Sequence, residues 1–248
     1  MKKFEEEINK TFLNLKTPFV DYGITNSTSI SFEGIFRNPE FSNISQDRNQ
    51  LFRMASMTKP ITAYLTLAVL EDNGIDLHDS VGKYVPEIDN LEIAYKEGDT
   101  IKYKKNDVPI SFHHLQSYTS GHAYEHHDPI ISELLSKKEI APMKIGDDSF
   151  LQAPLVFAPG SRWGYGISYG WLGKAIEAIS GVGLDENLKK YLCQPLGLEK
   201  TSFNPSQSSR DTLAPVYFRD SEGAYSDIGS IITFGLNRFH YGGGGITS

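Results

Sequence analysis

One proline, Pro60, fixes where the most apolar segment of this chain can begin its helix. Tyr64, Leu65, Ala68 and Val69 recur at helical offsets, and Asn73-Gly74 is a helix-terminating pair. Proline lacks a backbone N–H and blocks the preceding turn, so it is tolerated only in the first turn of a helix. The helix must therefore start close to Ser56, which puts Ser56 and Lys59, at i and i+3, on one face of that turn. A serine hydroxyl is too weak an acid to attack a carbonyl unaided and needs an adjacent base. Lysine serves where burial and nearby positive charge lower its pKa. The positive end of the helix dipole also favours an alkoxide and disfavours protonation of the neighbouring amine. Ser56-Met57-Thr58-Lys59 is a short pattern, and its meaning depends on its surroundings.

Upstream, Phe4, Ile8, Phe12 and Leu13 predict an amphipathic helix over 3–14. Phe19 to Thr25 and Ser29 to Phe36 predict two strands joined by the polar turn Asn26-Ser27-Thr28. Asn38 to Asn49 reads as a surface loop, and residues 76–90 as a short connection. Downstream, 110–118 reads as a helix ending at Thr119-Ser120-Gly121. The segment from His122 to Ala153 looks irregular. Leu172, Ala175, Ile176 and Ile179 predict a helix over 170–180 that stops at Gly181, and Glu186 to Leu192 predicts a shorter one. The four glycines 242–245 are entropically costly and mark a place where the backbone bends or approaches a ligand closely. No repeat or low-complexity linker divides the chain, so one unit is expected over 1–248, with a sheet part at about 1–50 and a helical, active-site part at about 51–248.

Thirty-one acids against 24 bases give a net charge of -7, which argues against nucleic acid as a partner. The single cysteine, Cys193, excludes an intrachain disulfide and reads as a buried structural thiol. Two lysines followed by Glu5-Glu6-Glu7 do not make a signal peptide, and Ile61 to Leu70 is too short to span a bilayer, so a cytoplasmic location is expected. His113, His114, His122, His126 and His127 cluster in sequence, but no Cys or HExxH pattern accompanies them, and neither a metal nor another cofactor is expected. Nor do the glycines carry the lysine of a P-loop.

Several segments, in order, resemble the SxxK serine hydrolase superfamily, which includes class C β-lactamases, penicillin-binding DD-peptidases and the family VIII esterases and acyltransferases. Leu51 to Lys59 is similar to the nucleophile segment, and Leu77 to Glu87 to the stretch after it. Ile110 to Gly121 resembles the family's I-T-hydrophobic-R-H-L-L-T-H-T-S-G run. Pro159 to Tyr165 resembles the approach to the second motif, and Pro195 to Phe203 the turn beyond. The resemblance implies an α+β, β-lactamase/transpeptidase-like fold, with an antiparallel sheet flanked by helices and a helical region, the active site lying between. It implies that Ser56 is the acylated nucleophile, Lys59 its partner and Tyr165 the tyrosine of the YxN motif. A phenol beside an ammonium has a depressed pKa and can act as base and then as acid.

Two departures shape the functional expectation. Ile167 stands where penicillin-recognising members carry an asparagine that hydrogen-bonds a substrate amide, and isoleucine makes no such bond. Tyr165-Gly166-Ile167-Ser168 resembles the variant of the esterases and acyltransferases, which favours a small ester or thioester substrate. Ile167, Gly243 and Gly244 are the expected substrate-binding residues. In the family, a glycine run like 242–245 precedes further helices and the last strands, one carrying a KTG or HxG motif that completes the oxyanion hole. No such strands follow here, so the resemblance implies an incomplete domain. The expectation is a serine hydrolase or acyltransferase working through an acyl-enzyme on Ser56. The alternatives are a catalytically impaired or inactive fragment of one, and a β-lactamase or DD-peptidase acting on an amide.

Overall fold

The computed structural model describes residues 2–41, 44–45, 50–144, 146–229 and 239–248, so part of the expected 38–49 loop lies outside the described residues. They divide into two units, Met1–Phe52 with Ser206–Thr233, and Arg53–Pro205 with Phe234–Ser248. Residues 206–233, placed by sequence with the helical part, belong to the same unit as the N-terminal residues.

In the first unit, helix α1 (Lys2–Asn14) precedes an antiparallel hairpin of β1 (Phe19–Thr25) and β2 (Ile30–Arg37). The apolar stripe of α1 lies on the hairpin: Phe12 packs against Phe36 at 5.6 Å between ring centroids, and Phe4 against Phe32 at 5.7 Å. The turn between the strands is held by Asn26, whose Oδ1 accepts from the Thr28 and Ser29 amides. A three-residue hairpin, Tyr217–Arg219 with Tyr225–Asp227, joins this unit through Tyr217, which meets Phe19 and Phe41 edge-on.

The second unit is built on α2 (Thr58–Asp72). A hairpin of β3 (Ile93–Glu97) and β4 (Thr100–Lys104) follows, turning at Gly98 with φ +59°. Next come α3 (Phe112–Gln116), α4 (Pro129–Ser136), α5 (Ser168–Ser180) and α6 (Leu184–Leu188). Ser111 caps α3 by accepting from the His114 amide. Helix α4 lies inside the segment read as irregular. Asp128 caps it and Pro129 opens it, while Ile131 and Leu134 bury its inner face. The antiparallel pairing expected from the sequence is present as three two-stranded sheets among the described residues.

Helices α2 and α5 form the centre of this unit. Trp171, Leu172 and Ala175 of α5 are fully buried in one cluster with Phe112 and Leu115 of α3 and with Leu151 and Leu155. On the other side Leu65 and Val69 of α2 meet Ile176 of α5 and Leu184 and Leu188 of α6. Cys193 is buried there, and its thiol donates to the Thr201 carbonyl. Among the described residues no helix is long and apolar enough to cross a membrane.

Leu65 is wholly inaccessible between these helices, so Leu65→Ala deletes buried methyl groups and leaves a cavity. Unfolding free energy measured by denaturant titration should fall by about 2–5 kcal/mol. A loss under about 1 kcal/mol would mean that the α2–α5 contact is not a packed core.

Candidate active site

The first turn of α2 is made by a short 3-10 segment, Ala55–Met57, that runs into Thr58, so Pro60 is the third residue of the α-helix, as its chemistry requires. Ala55 has φ +44°, a left-handed conformation unfavourable for a residue with a Cβ. It is imposed from both sides. The Met54 amide donates to the Ile246 carbonyl at 3.0 Å, and the Ile246 amide donates to Thr58 Oγ1 at 3.2 Å. Ser56 emerges exposed from this clamped turn.

Lys59, one helical step on, is 7% exposed. Its Nζ donates to Ser56 Oγ at 3.0 Å and to the Gly243 carbonyl at 2.7 Å, and lies over the rings of Tyr165 (5.1 Å) and Tyr124 (5.7 Å). Among the described residues no carboxylate pairs with it. A hydroxyl, a carbonyl and two aromatic faces therefore replace the water that burial removed. The glycine run reaches this position because Gly242 has no side chain: a Cβ there would lie 2.5 Å from the Tyr169 carbonyl oxygen. Thr62 Oγ1 fixes the same backbone by donating to the Gly242 carbonyl at 2.7 Å. Gly243 and Gly244 both border the cavity described below, and the contact Gly243 makes is with the lysine.

Tyr165 completes the arrangement, its hydroxyl 3.0 Å from Ser56 Oγ. Two loops are zipped together to place it. The Gly164 amide donates to the Tyr118 carbonyl at 2.8 Å and the Tyr124 amide to the Tyr165 carbonyl at 3.1 Å. Gly166 lies so close to Ala123 that a Cβ would sit 2.6 Å from its Cα. Ser168 at the start of α5 bonds Ser120 Oγ at 2.8 Å, and Ser120 bonds His122 Nδ1 at 2.9 Å. Burial raises the Tyr165 pKa, but hydrogen bonds with Ser56 and Lys59 and the lysine charge outweigh it, leaving the phenol below its ordinary value. Burial alone pushes His122 down to about 3, so it stays neutral.

Ile167 does not join these residues. It is 5% exposed, buried in the core cluster beside Trp171, and does not border the cavity over Ser56. The turn that aims Tyr165 outward turns the next-but-one side chain inward. The cavity, about 370 Å³, is lined by Tyr124, Met143, Phe203, Phe239 and Tyr241, by Ser56, Lys59 and Tyr165, and by the polar His126, Lys144 and His240. Tyr124 and Tyr241 are site residues that sequence reading missed. Their hydroxyls bond each other, and burial, the larger effect, pushes Tyr124 up to about 12. Tyr241 carried one signal, its place immediately before the glycines; Tyr124 carried none. The histidine cluster does not converge. His122 is buried, His126 and His127 are exposed, and among the described residues no group of His, Cys, Asp and Glu is arranged to hold a metal.

Residues 41–248 match the family described as Beta-lactamase. The chain belongs to the Beta-lactamase family. Among its relatives, ML-236A carboxylate methylbutanoyltransferase of Penicillium citrinum is 31% identical over 159 residues, which are 62% of this chain and 38% of that protein. Esterase EstB of Burkholderia gladioli is 29% identical over 64% of this chain and 40% of its own. The chain thus spans well under half of these curated relatives. In fold, simvastatin synthase from Aspergillus terreus superimposes with TM-score 0.84 at 23% identity, over 98% of this chain and 64% of that one. The hydrolase EstCE1, described as having promiscuous acyltransferase activity, superimposes with TM-score 0.78 at 20% identity, over 100% and 68%. The α+β, β-lactamase/transpeptidase-like architecture of this Beta-lactamase family member is the one the ordered motifs implied.

The neutral state of His122 ties stability to pH. Its folded pKa, about 3, lies below the ordinary 6.5, so between those values the unfolded chain binds the extra proton. Its contribution is complete above about pH 6.5 and drains away as pH falls toward 3, at up to about 1.4 kcal/mol per pH unit. In His122→Asn, the fall in unfolding free energy between pH 6 and pH 4 should be shallower by that order. Equal slopes in denaturant titrations of both proteins would refute this.

Proposed function

We propose that this chain is a serine hydrolase or acyltransferase of the Beta-lactamase family that acts on small esters through an acyl-enzyme on Ser56. One observation carries the reading: Ser56 Oγ lies 3.0 Å from both Lys59 Nζ and the Tyr165 hydroxyl. In the proposed reaction Ser56 Oγ bonds to the ester carbonyl carbon as the Tyr165 oxygen, its anionic form favoured by the Lys59 ammonium, takes the serine proton. The carbonyl–alkoxy bond then breaks, and Tyr165 returns a proton to the departing alcohol oxygen. Water, or a second alcohol, reverses these steps on the acyl-enzyme. The Ser56 amide at the helix start is one oxyanion donor in this scheme.

An ester or thioester is favoured over a β-lactam or peptide by the side chain of Ile167, which is apolar and turned into the core. The cavity's mainly apolar surface, interrupted by His126, Lys144 and His240, and its volume of about 370 Å³ suit a short acyl chain. The printed descriptions of the relatives, a methylbutanoyltransferase and esterases, name acyl-ester chemistry and support the same class. The acyl group and its acceptor in the whole protein are part of the proposal.

Treatment with a fluorophosphonate or an activated butyrate ester should add one adduct mass, lost in Ser56→Ala. Tyr165→Phe should lower kcat by about a hundred- to ten-thousandfold with little change in fold. Folded protein that takes up no label would sink the proposal. Acylation that never turns over would identify the impaired form of such an enzyme.

A further inference from the structure

Trp163 is 63% exposed, unusual for the side chain with the most apolar surface to hide, whereas the other tryptophan, Trp171, is fully buried. The backbone that carries it is not loose. The Gly160 amide donates to the Thr119 carbonyl at 2.7 Å, and the Gly164 amide to the Tyr118 carbonyl at 2.8 Å. Arg162 is drawn aside, its guanidinium 4.1 Å from the centre of the Phe157 ring and 3.8 Å from Asp128. Tyr118 supports the indole edge-on at 6.2 Å between centroids, from a backbone with φ +59°. A strained, hydrogen-bonded frame thus holds one large apolar face out in solvent.

What lies beside that face is Tyr165. The two rings are within 12° of parallel, with centroids 6.4 Å apart, so they form a stepped shelf. The indole does not border the cavity, which Tyr165 does. Resting on the reading of Ser56 and Tyr165 given above, we infer that Trp163 is the platform for the alcohol half of the ester, and that this half is an uncharged ring. The alcohol oxygen must lie within reach of the Tyr165 hydroxyl to receive its proton. Its carbon skeleton then passes beside the Tyr165 ring, while the acyl chain occupies the cavity. Flat stacking on an indole selects rings over flexible chains because both partners lose little conformational freedom. Arg162 is turned away from the indole face, so no guanidinium lies on it to select an ionic group.

Benzyl butyrate and ethyl butyrate test this, because their leaving alcohols have similar basicity and differ in the ring. Wild type should prefer the benzyl ester at least tenfold in kcat/KM, expressed in KM. The preference should fall below about threefold in Trp163→Ala and be largely kept in Trp163→Phe. Equal values for the two esters in wild type, or a preference that survives Trp163→Ala, would overturn the inference. A second arm uses the emission of Trp163 excited at 295 nm, with acrylamide as quencher, since Trp171 is inaccessible. Benzyl alcohol should protect it at concentrations where ethanol does not, and equal quenching with either alcohol would overturn the shelf. If neither ester is turned over, labelling of Ser56 decides on the serine hydrolase reading, and the quenching arm alone decides on the shelf.

Discussion

A lysine 7% exposed, with no carboxylate partner among the described residues, depends on what backbone and aromatic groups can offer, and here the decisive group is the Gly243 carbonyl at 2.7 Å. An unpaired buried ammonium is expensive. The carbonyl reaches it only because Gly242 lets the chain pass against Tyr169 and Thr62 holds the adjoining peptide. The lysine in turn sets the serine, whose hydroxyl is 3.0 Å from it. The glycine run is thus best understood as the support for a cation.

The same logic governs the tyrosine. Its hydroxyl position follows from the close approach of two loops, 118–124 and 164–168, fastened by backbone bonds at their ends and by the Ser168–Ser120–His122 chain between them. His122 is buried at the end of that chain, its Nδ1 2.9 Å from Ser120 Oγ. Burial enforces the neutral state, so the fold provides by desolvation what a charged partner would provide elsewhere. Strain at Ala55 and Tyr118 falls next to the Ser56 and Tyr165 hydroxyls, in keeping with conformations retained where the surroundings over-determine them.

Much of this was legible in the sequence wherever the signal was local. Strand Phe19–Thr25 was placed to the residue, and α1, α2 and α5 to within two, because periodicity and end signals both act over a few residues. The Ser56–Lys59 relation is likewise one helical turn. Two elements went unread. In the hairpin 93–104 only the second strand alternates, Ile101 and Tyr103 with Lys102 and Lys104, after the turn residues Gly98-Asp99, and α4 has its start signal in Asp128-Pro129, hidden among charges and histidines. The partners that matter most to the site were beyond local reach: Gly243 is 184 residues from Lys59, and Tyr124 and Tyr241 are 117 apart. Ile167 was given a place in the substrate site from its position in a motif, and the tight turn at Gly166 sends it to the core instead.

The clamp on Ala55 has a consequence for the order of events during synthesis. The turn that carries Ser56, Met54 to Thr58, is fastened by Ile246, and the lysine by Gly243. The helix that bears Ser56 and Lys59 leaves the ribosome long before either fastener is made. A nascent chain therefore carries both side chains without their geometry, and gains the assembled pair only when the turn at 241–247 docks.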